Sequence, residues 1–217
     1  MPPPPPLLFG ARVRVSLADD ADAGDLLEFH RRNLDRLKRW MPPVPETFLT
    51  PDYWARWVTA AQWLYDKEQA MRLIVRHGTA ADAPLIAQAN FSNIVKGPFQ
   101  ACLLGYHVDG GAEGRGLMRE ALQLGIRFVF EEIRLHRIMA NYIPGNDRSA
   151  RLLERLGFER EGYARDYLFI DGAWRDHVLT ALTNPAQTAP VADRDLHTAR
   201  APLAMARIAR RIARPRQ

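Results

Sequence analysis

The chain has 217 residues, with 47% apolar and 25% charged side chains; this is a globular composition, long enough to bury a large core without disulfide or metal staples. No apolar run is long enough to span a membrane, MPPPPPLLFG lacks the basic start and apolar stretch of a secretory signal, and the lone Cys102 excludes an internal disulfide and points to a reducing compartment. The net charge of +5 sits in one place: from Ala186 to Gln217 there are seven Arg (194, 200, 207, 210, 211, 214, 216) against two Asp (193, 195), so the rest of the chain is balanced and is not a basic nucleic-acid-binding domain.

Residues 1–10 read as a Pro-rich leader, in which Pro2 to Pro6 form stiff polyproline outside the fold. The globular pattern spans residues 11–184. Arg12 to Leu17 alternates as a strand, and Asp22 to Trp40 carries Leu26, Leu27, His30, Leu34 and Leu37 near helix spacing. Pro42, Pro43, Pro45 and Pro51 mark a loop before a second helix, Asp52 to Lys67. Strands follow at Ala70 to His77, Leu85 to Ile94 and Ala101 to Val108.

Gly116 to Ile133 is the strongest helix, with a wide apolar face that includes Leu117, Ala121, Leu124 and Phe128. Arg137 to Ile143 is a strand. Asn146 caps a helix that ends at Leu156, with Gly157 in the left-handed closing position. Two strands, Tyr163 to Ile170 and Trp174 to Leu182, flank a turn at Asp171-Gly172. Residues 185–217 form a basic Ala/Arg-rich tail. Within it Met205, Ile208 and Ile212 fall on one helical face among arginines, a pattern suited to ribosomal RNA or an anionic membrane, or to a solvated end. A helix between two strands of one sheet implies a parallel pair within a mixed sheet.

The segment Gly110-Gly111-Ala112-Glu113-Gly114-Arg115-Gly116-Leu117 lies between a strand and the best helix. Glycines let backbone amides approach a ligand, and a helix start adds unpaired N–H donors and a positive dipole end. The pair suits a pyrophosphate, although a surface turn with a helix cap fits the same residues. A P-loop fails because Leu117-Met118 stand where Lys-Ser/Thr belong, and a Rossmann loop fails because Arg119 stands at its third glycine. The six His (30, 77, 107, 136, 177, 197) show no ligand spacing, so no metal is expected.

LGYHVDGGAEGRGLMREAL resembles the acetyl-coenzyme A loop of the GNAT acetyltransferase superfamily. Gly114 and Gly116 match its glycines, and Gly111 departs from the usual Gln or Arg. ANFSNIVKGPFQACLLGY and HRIMANYIPGNDRSARLLERLGFEREGYARDYLFIDGAWRDHVLTAL resemble its RimJ/RimL branch, the ribosomal-protein N-terminal acetyltransferases, and the RimJ type more closely.

The resemblance implies an α/β fold: a mixed, mostly antiparallel, twisted sheet of about seven strands, splayed around the coenzyme A site and flanked by helices. It implies that Tyr106, His107, Val108, Gly111, Ala112, Glu113, Gly114, Arg115, Gly116, Leu117, Met118, Asn141, Asn146 and Ser149 hold acetyl-coenzyme A. Ser149 and Tyr106 are the expected proton donors to the leaving thiolate. Asp166 ranks first as the base, ahead of Glu161 and Glu113.

Asn90, Phe91, Ser92 and Tyr167 are expected against the acceptor, with Trp40 in the core. Cys102 reads as a small buried apolar residue. The implied acceptor is a protein N-terminal amine, Ala or Ser of a ribosomal protein, and the implied location is the cytoplasm. A small amine as acceptor, or a non-enzymatic ribosome-assembly factor that binds RNA through its tail, are the competing readings.

Overall fold

A computed structural model describes residues 2–189. Eight strands form its sheet: β1 (Leu7–Phe9), β2 (Val13–Leu17), β3 (Met71–His77), β4 (Leu85–Val95), β5 (Ala101–Val108), β6 (Arg137–Met139), β7 (Glu159–Ile170) and β8 (Ala173–Thr183). They run in the order β1-β2-β3-β4-β5-β6-β8-β7. Every neighbouring pair is antiparallel except β5 and β6, which are parallel and are joined across helix α3 (Leu117–Phe128).

The strand count exceeds the expected seven because the leader enters the fold. Leu7–Phe9 pairs with β2, the Leu17 amide donates to the Pro6 carbonyl, and the buried Tyr65 hydroxyl donates to the carbonyls of Pro3 and Pro4. Proline lacks an N–H but keeps its carbonyl, so such a segment can still be an edge acceptor.

Strand alternation gives the sheet two faces. Val13, Val15, Met71, Leu73, Ala89, Phe91 and Leu104 form one core with α3. Ile74 and Leu85 face the other way and pack with α1 (Ala23–Leu37) and α2 (Pro51–Asp66). Thr50 caps α2 through its side chain, with Pro51 in the first turn, where a missing N–H costs nothing.

The helix expected to Ile133 is α-helical to Phe128 and then widens into a π-turn, Val129–Ile133, closed by Arg134 in the left-handed region. The strand expected to Ile143 pairs with β5 only through Met139, and beyond it the chain keeps its hydrogen bonds to β8 alone. The last helix, α4 (Asp147–Arg155), has the expected Asn146 cap and Gly157 at φ +88°. The tail arginines from Arg194 onward and the amphipathic Met205–Ile212 segment lie outside the described residues.

Candidate active site

β5 and β6 pair only through Ala101↔Arg137, Cys102↔Ile138 and Leu103↔Met139. Beyond that point β5 continues to Val108 paired with β4 only, while Tyr142 bridges Val178 of β8. The strands therefore splay. The Arg137 amide donates to Gln100 and the Asp109 amide to Ile86, so even-numbered residues of β5 face the gap and odd-numbered ones face β4. Tyr106 and Val108 thus present backbone groups to the gap. The backbone of His107 belongs to the β4 ladder, so its expected main-chain contact with the coenzyme is corrected.

The loop after β5 is pinned by its own first amides, those of residues 110–113, all of which are hydrogen-bonded. Asp109 Oδ1 accepts from the Gly111 amide at 2.9 Å, and its Oδ2 accepts from Asn33 at 2.9 Å and Arg32 at 3.1 Å. Burial opposes ionisation there, but these bonds hold the carboxyl below its ordinary range. Gly114 and Gly116 sit at φ +73° and +76°, which suits glycine, and a Cβ on Gly114 would meet no protein atom within 4 Å.

The first bond into α3 runs from the Glu120 amide to the Gly116 carbonyl, so the amides of Leu117, Met118 and Arg119 point out of the helix start unpaired. Three residues of the expected coenzyme loop do not line the cleft. Gly111 is turned toward Asp109, Leu117 is 1% exposed in the core, and Arg115 lies outside the cleft with its carbonyl bonded to Arg12.

Splay and loop open into one cleft of about 1590 Å³. Tyr106, Val108, Ala112, Glu113, Gly114, Gly116, Met118, Asn141, Asn146 and Ser149 line it. Asn146 Oδ1 accepts from the Ser149 amide at 3.2 Å, which fixes the first turn of α4. The Ser149 and Tyr106 hydroxyls then meet at 2.7 Å. Burial pushes the Tyr106 phenol up to about 12, with the Ser149 bond opposing, so it stays protonated and can donate.

Asn90, Ser92 and Tyr167, the residues expected against the acceptor, also line the cleft. Phe91 does not. It alternates to the opposite face of β4, is 0% exposed, and lies so close to α3 that a Cβ on Gly125 would come within 3.0 Å of its ring.

Asp166 is also misplaced as a base. The register between β7 and β8 jumps between Ala164 and Leu168, and the bulge puts Asp166 at φ +49°, exposed and outside the cleft, with its amide on Asp176 at 2.9 Å. The same bulge brings Tyr167 to the cleft wall, where its hydroxyl accepts from Asn141 at 3.3 Å. Glu161 pairs with Arg137. Glu113 is held by Arg36 at 2.6 Å and by Arg148. Trp40, expected in the core, is half-buried and lines the cleft beside Met41 and Pro42.

Sequence reasoning missed Arg36, Arg39, Arg119, Arg148, Arg151 and Arg155, which also border the cleft. Arg36 binds the Val108 carbonyl and Glu113, bolting α1 to the loop. Nothing in local sequence signals a contact between residues so far apart in the chain. The Asp before Gly-Gly, however, is a legible turn-capping signal. Among the described residues no His, Cys, Asp or Glu group could hold a metal.

Residues 12–159 match the family described as "Acetyltransferase (GNAT) domain". The chain is 45% identical over 82% of its length to the [Ribosomal protein uS5]-alanine N-acetyltransferase of Escherichia coli, of which the match covers 90%. The crystal structure of the ribosomal-protein-S5-alanine acetyltransferase from Vibrio fischeri is 34% identical, with a TM-score of 0.80, over 85% of this chain and 100% of that one. Mycobacterium smegmatis RimJ in complex with a coenzyme A disulfide is 25% identical, with a TM-score of 0.75, over 87% of this chain and 90% of that one. A splayed strand pair, a glycine-hinged helix start and this extent of similarity lead to one conclusion: the chain belongs to the GNAT acetyltransferase family.

Proposed function

We propose that this protein transfers the acetyl group of acetyl-coenzyme A to the N-terminal α-amine, Ala or Ser, of a ribosomal protein, by direct attack of the amine on the thioester. The amides of residues 114–119 and the helix dipole would take the pyrophosphate, and Tyr106 and Val108 would pair with the pantetheine. The Tyr106–Ser149 hydroxyl pair would protonate the departing thiolate.

The observation that carries the acceptor is the charge of the cleft, which has six arginines (36, 39, 119, 148, 151, 155) and only two carboxylates, Glu113 and Asp147. Such a cleft repels polyamines and aminoglycosides. It also holds no unpaired carboxylate base on the acceptor side. An α-amine, with a pKa of about 7.7–8.0, is substantially neutral near pH 7.5, whereas a lysine at about 10.4 is neutral on the order of one time in a thousand. The open wall of Asn90, Ser92, Trp40 and Tyr167 suits an extended peptide, and the names of the similar enzymes point the same way. An acyl-cysteine route is disfavoured because burial pushes the Cys102 thiol up to about 12.

We place the reaction in the cytoplasm, where ribosomal proteins and acetyl-coenzyme A meet, and assign the Arg-rich tail to ribosomal RNA. Thiol release with short peptides tests the reading. Turnover with an Ala-initiated peptide and none with its N-blocked form is the expected result, and turnover only on spermidine would reject it. Deletion of residues 186–217 should weaken ribosome binding and leave acetylation of free peptide intact.

A further inference from the structure

Among the described residues, five buried side-chain polar atoms have no hydrogen-bond partner in the protein: His30 Nδ1, Trp54 Nε1, Gln88 Nε2, Asn90 Oδ1 and His107 Nδ1. They form one seam. His30 stacks on Trp54 with centroids 4.4 Å apart, and its Nε2 lies 2.7 Å from Gln88 Oε1. The His30 and His107 rings meet edge to face at 6.2 Å. Gln88 stands opposite His107 in the strand register, and Asn90 follows on the same face of β4. The seam runs from between α1 and α2 to the cleft, where Asn90 and His107 are both wall residues. Buried polar groups are nearly always paired, so a line of orphans ending at a reaction cleft marks a functional device.

That device lies on the acceptor face. Tyr106 alternates to the opposite face, where it meets Ser149 and serves the leaving sulfur. On the acceptor side a proton must leave the nitrogen as it bonds to the carbonyl carbon. The two cleft carboxylates do not serve: Glu113 is paired to two arginines, and Asp147 sits in the first turn of α4.

We propose that the His107 imidazole accepts the proton from the acceptor nitrogen, with Asn90 Oδ1 orienting that nitrogen and His30–Gln88 positioning the ring from behind. The inference rests on the N-terminal-amine reading above. As the nitrogen–carbon bond forms and the carbon–sulfur bond breaks, the nitrogen's proton passes to His107 and on to water. A hydroxyl proton from the Tyr106–Ser149 pair passes to the sulfur and is replaced from water.

The groups around His107 agree with this role. Arg36 and Arg39 come from the α1 side, Arg72 faces Asn90 from β3, Asp109 and Glu113 are ion-paired, and His177 stands across the cleft. Burial first, and then Arg36, lower the His107 pKa to about 4; burial, with His107 adding to it and Gln88 opposing, lowers that of His30 to about 4. Both rings are therefore neutral near pH 7, with a lone pair available. A base this weak suits an amine already partly neutral, whose nitrogen becomes strongly acidic only as the new bond forms.

The full chain is tested with an Ala-initiated peptide from about pH 6 to about pH 9.5, across the α-amine pKa. His107→Phe and His107→Gln should keep acetyl-coenzyme A affinity in calorimetry, which shows that fold and donor site persist. Each should lose about 100-fold in kcat with little change in peptide KM, and the loss should hold across this range, because the neutral-amine fraction scales both enzymes alike. Should the Phe variant fail to bind the coenzyme, the Gln variant decides. A loss carried by the peptide KM alone, or an unchanged kcat/KM, overturns the proposal. Turnover by the unsubstituted enzyme tests the acceptor reading, whereas the variant ratio tests His107, so the two fail separately.

Discussion

The two sides of the splayed strand β5 are built from different materials. The side proposed for the coenzyme is main chain: strand edge left open at Tyr106 and Val108, two left-handed glycines, and the unpaired amides at the start of α3. The side proposed for the acceptor is side chain: Asn90, Ser92 and His107 from adjacent strands, Trp40 from the turn that follows α1, and Tyr167 from a bulge in the β-hairpin. Main-chain recognition suits a ligand shared across a family. Side-chain recognition lets the acceptor differ from one member to the next.

Substitutions on the two sides should therefore fail differently. The largest effect is expected at Gly114. Gly114→Val meets no protein atom, so the valine side chain enters the ligand's own space, and the positive φ adds strain of about 1–2 kcal/mol. Acetyl-coenzyme A affinity should fall by more than about 100-fold in calorimetry, well beyond that strain (1.4 kcal/mol per tenfold). An unchanged affinity would show that the coenzyme is not held there.

Tyr106→Phe removes the hydroxyl 2.7 Å from Ser149 and should lower kcat by about 100-fold while coenzyme affinity holds. Ser149→Ala should cost a similar amount and the double variant little more, because the pair acts as a unit.

A third effect is on stability. Burial lowers His30 from 6.5 to about 4, so between those values the unfolded chain binds more protons and stability rises with pH. That contribution, roughly 3 kcal/mol at 1.36 kcal/mol per unit, is fully present above about pH 6.5 and lost as pH falls toward 4. Melting temperatures from pH 7 down to pH 4.5 should drop less steeply in His30→Leu. The smallest effect is expected at Trp40, whose replacement by Ala should raise the peptide KM by about 5- to 10-fold and leave coenzyme affinity alone.

This division of materials also explains what the sequence disclosed. Glycines that need positive φ, a helix start, the Asn146 cap and the Gly157 closure are local signals, and they mark the side proposed for the coenzyme. The acceptor side depends on contacts between segments far apart in the chain. Phe91 was misplaced because alternation along β4 can be phased only when the strand's neighbours are known. Asp166 was misplaced because a register jump between β7 and β8 leaves no local mark. The bolts from Arg32, Asn33 and Arg36 to Asp109 and Glu113 tie helix to loop across the sequence, and Tyr65 ties the proline leader to α2 in the same way.

The central claim is that donor and acceptor approach from opposite faces of β5. A crystal structure with a conjugate of coenzyme A and an Ala-initiated peptide tests it most directly. The pyrophosphate should lie on the amides of residues 114–119, the sulfur beside Tyr106 and Ser149, and the peptide nitrogen against Asn90 and His107. A peptide leaving along α3 or α4, on the same face as Tyr106, would contradict the account.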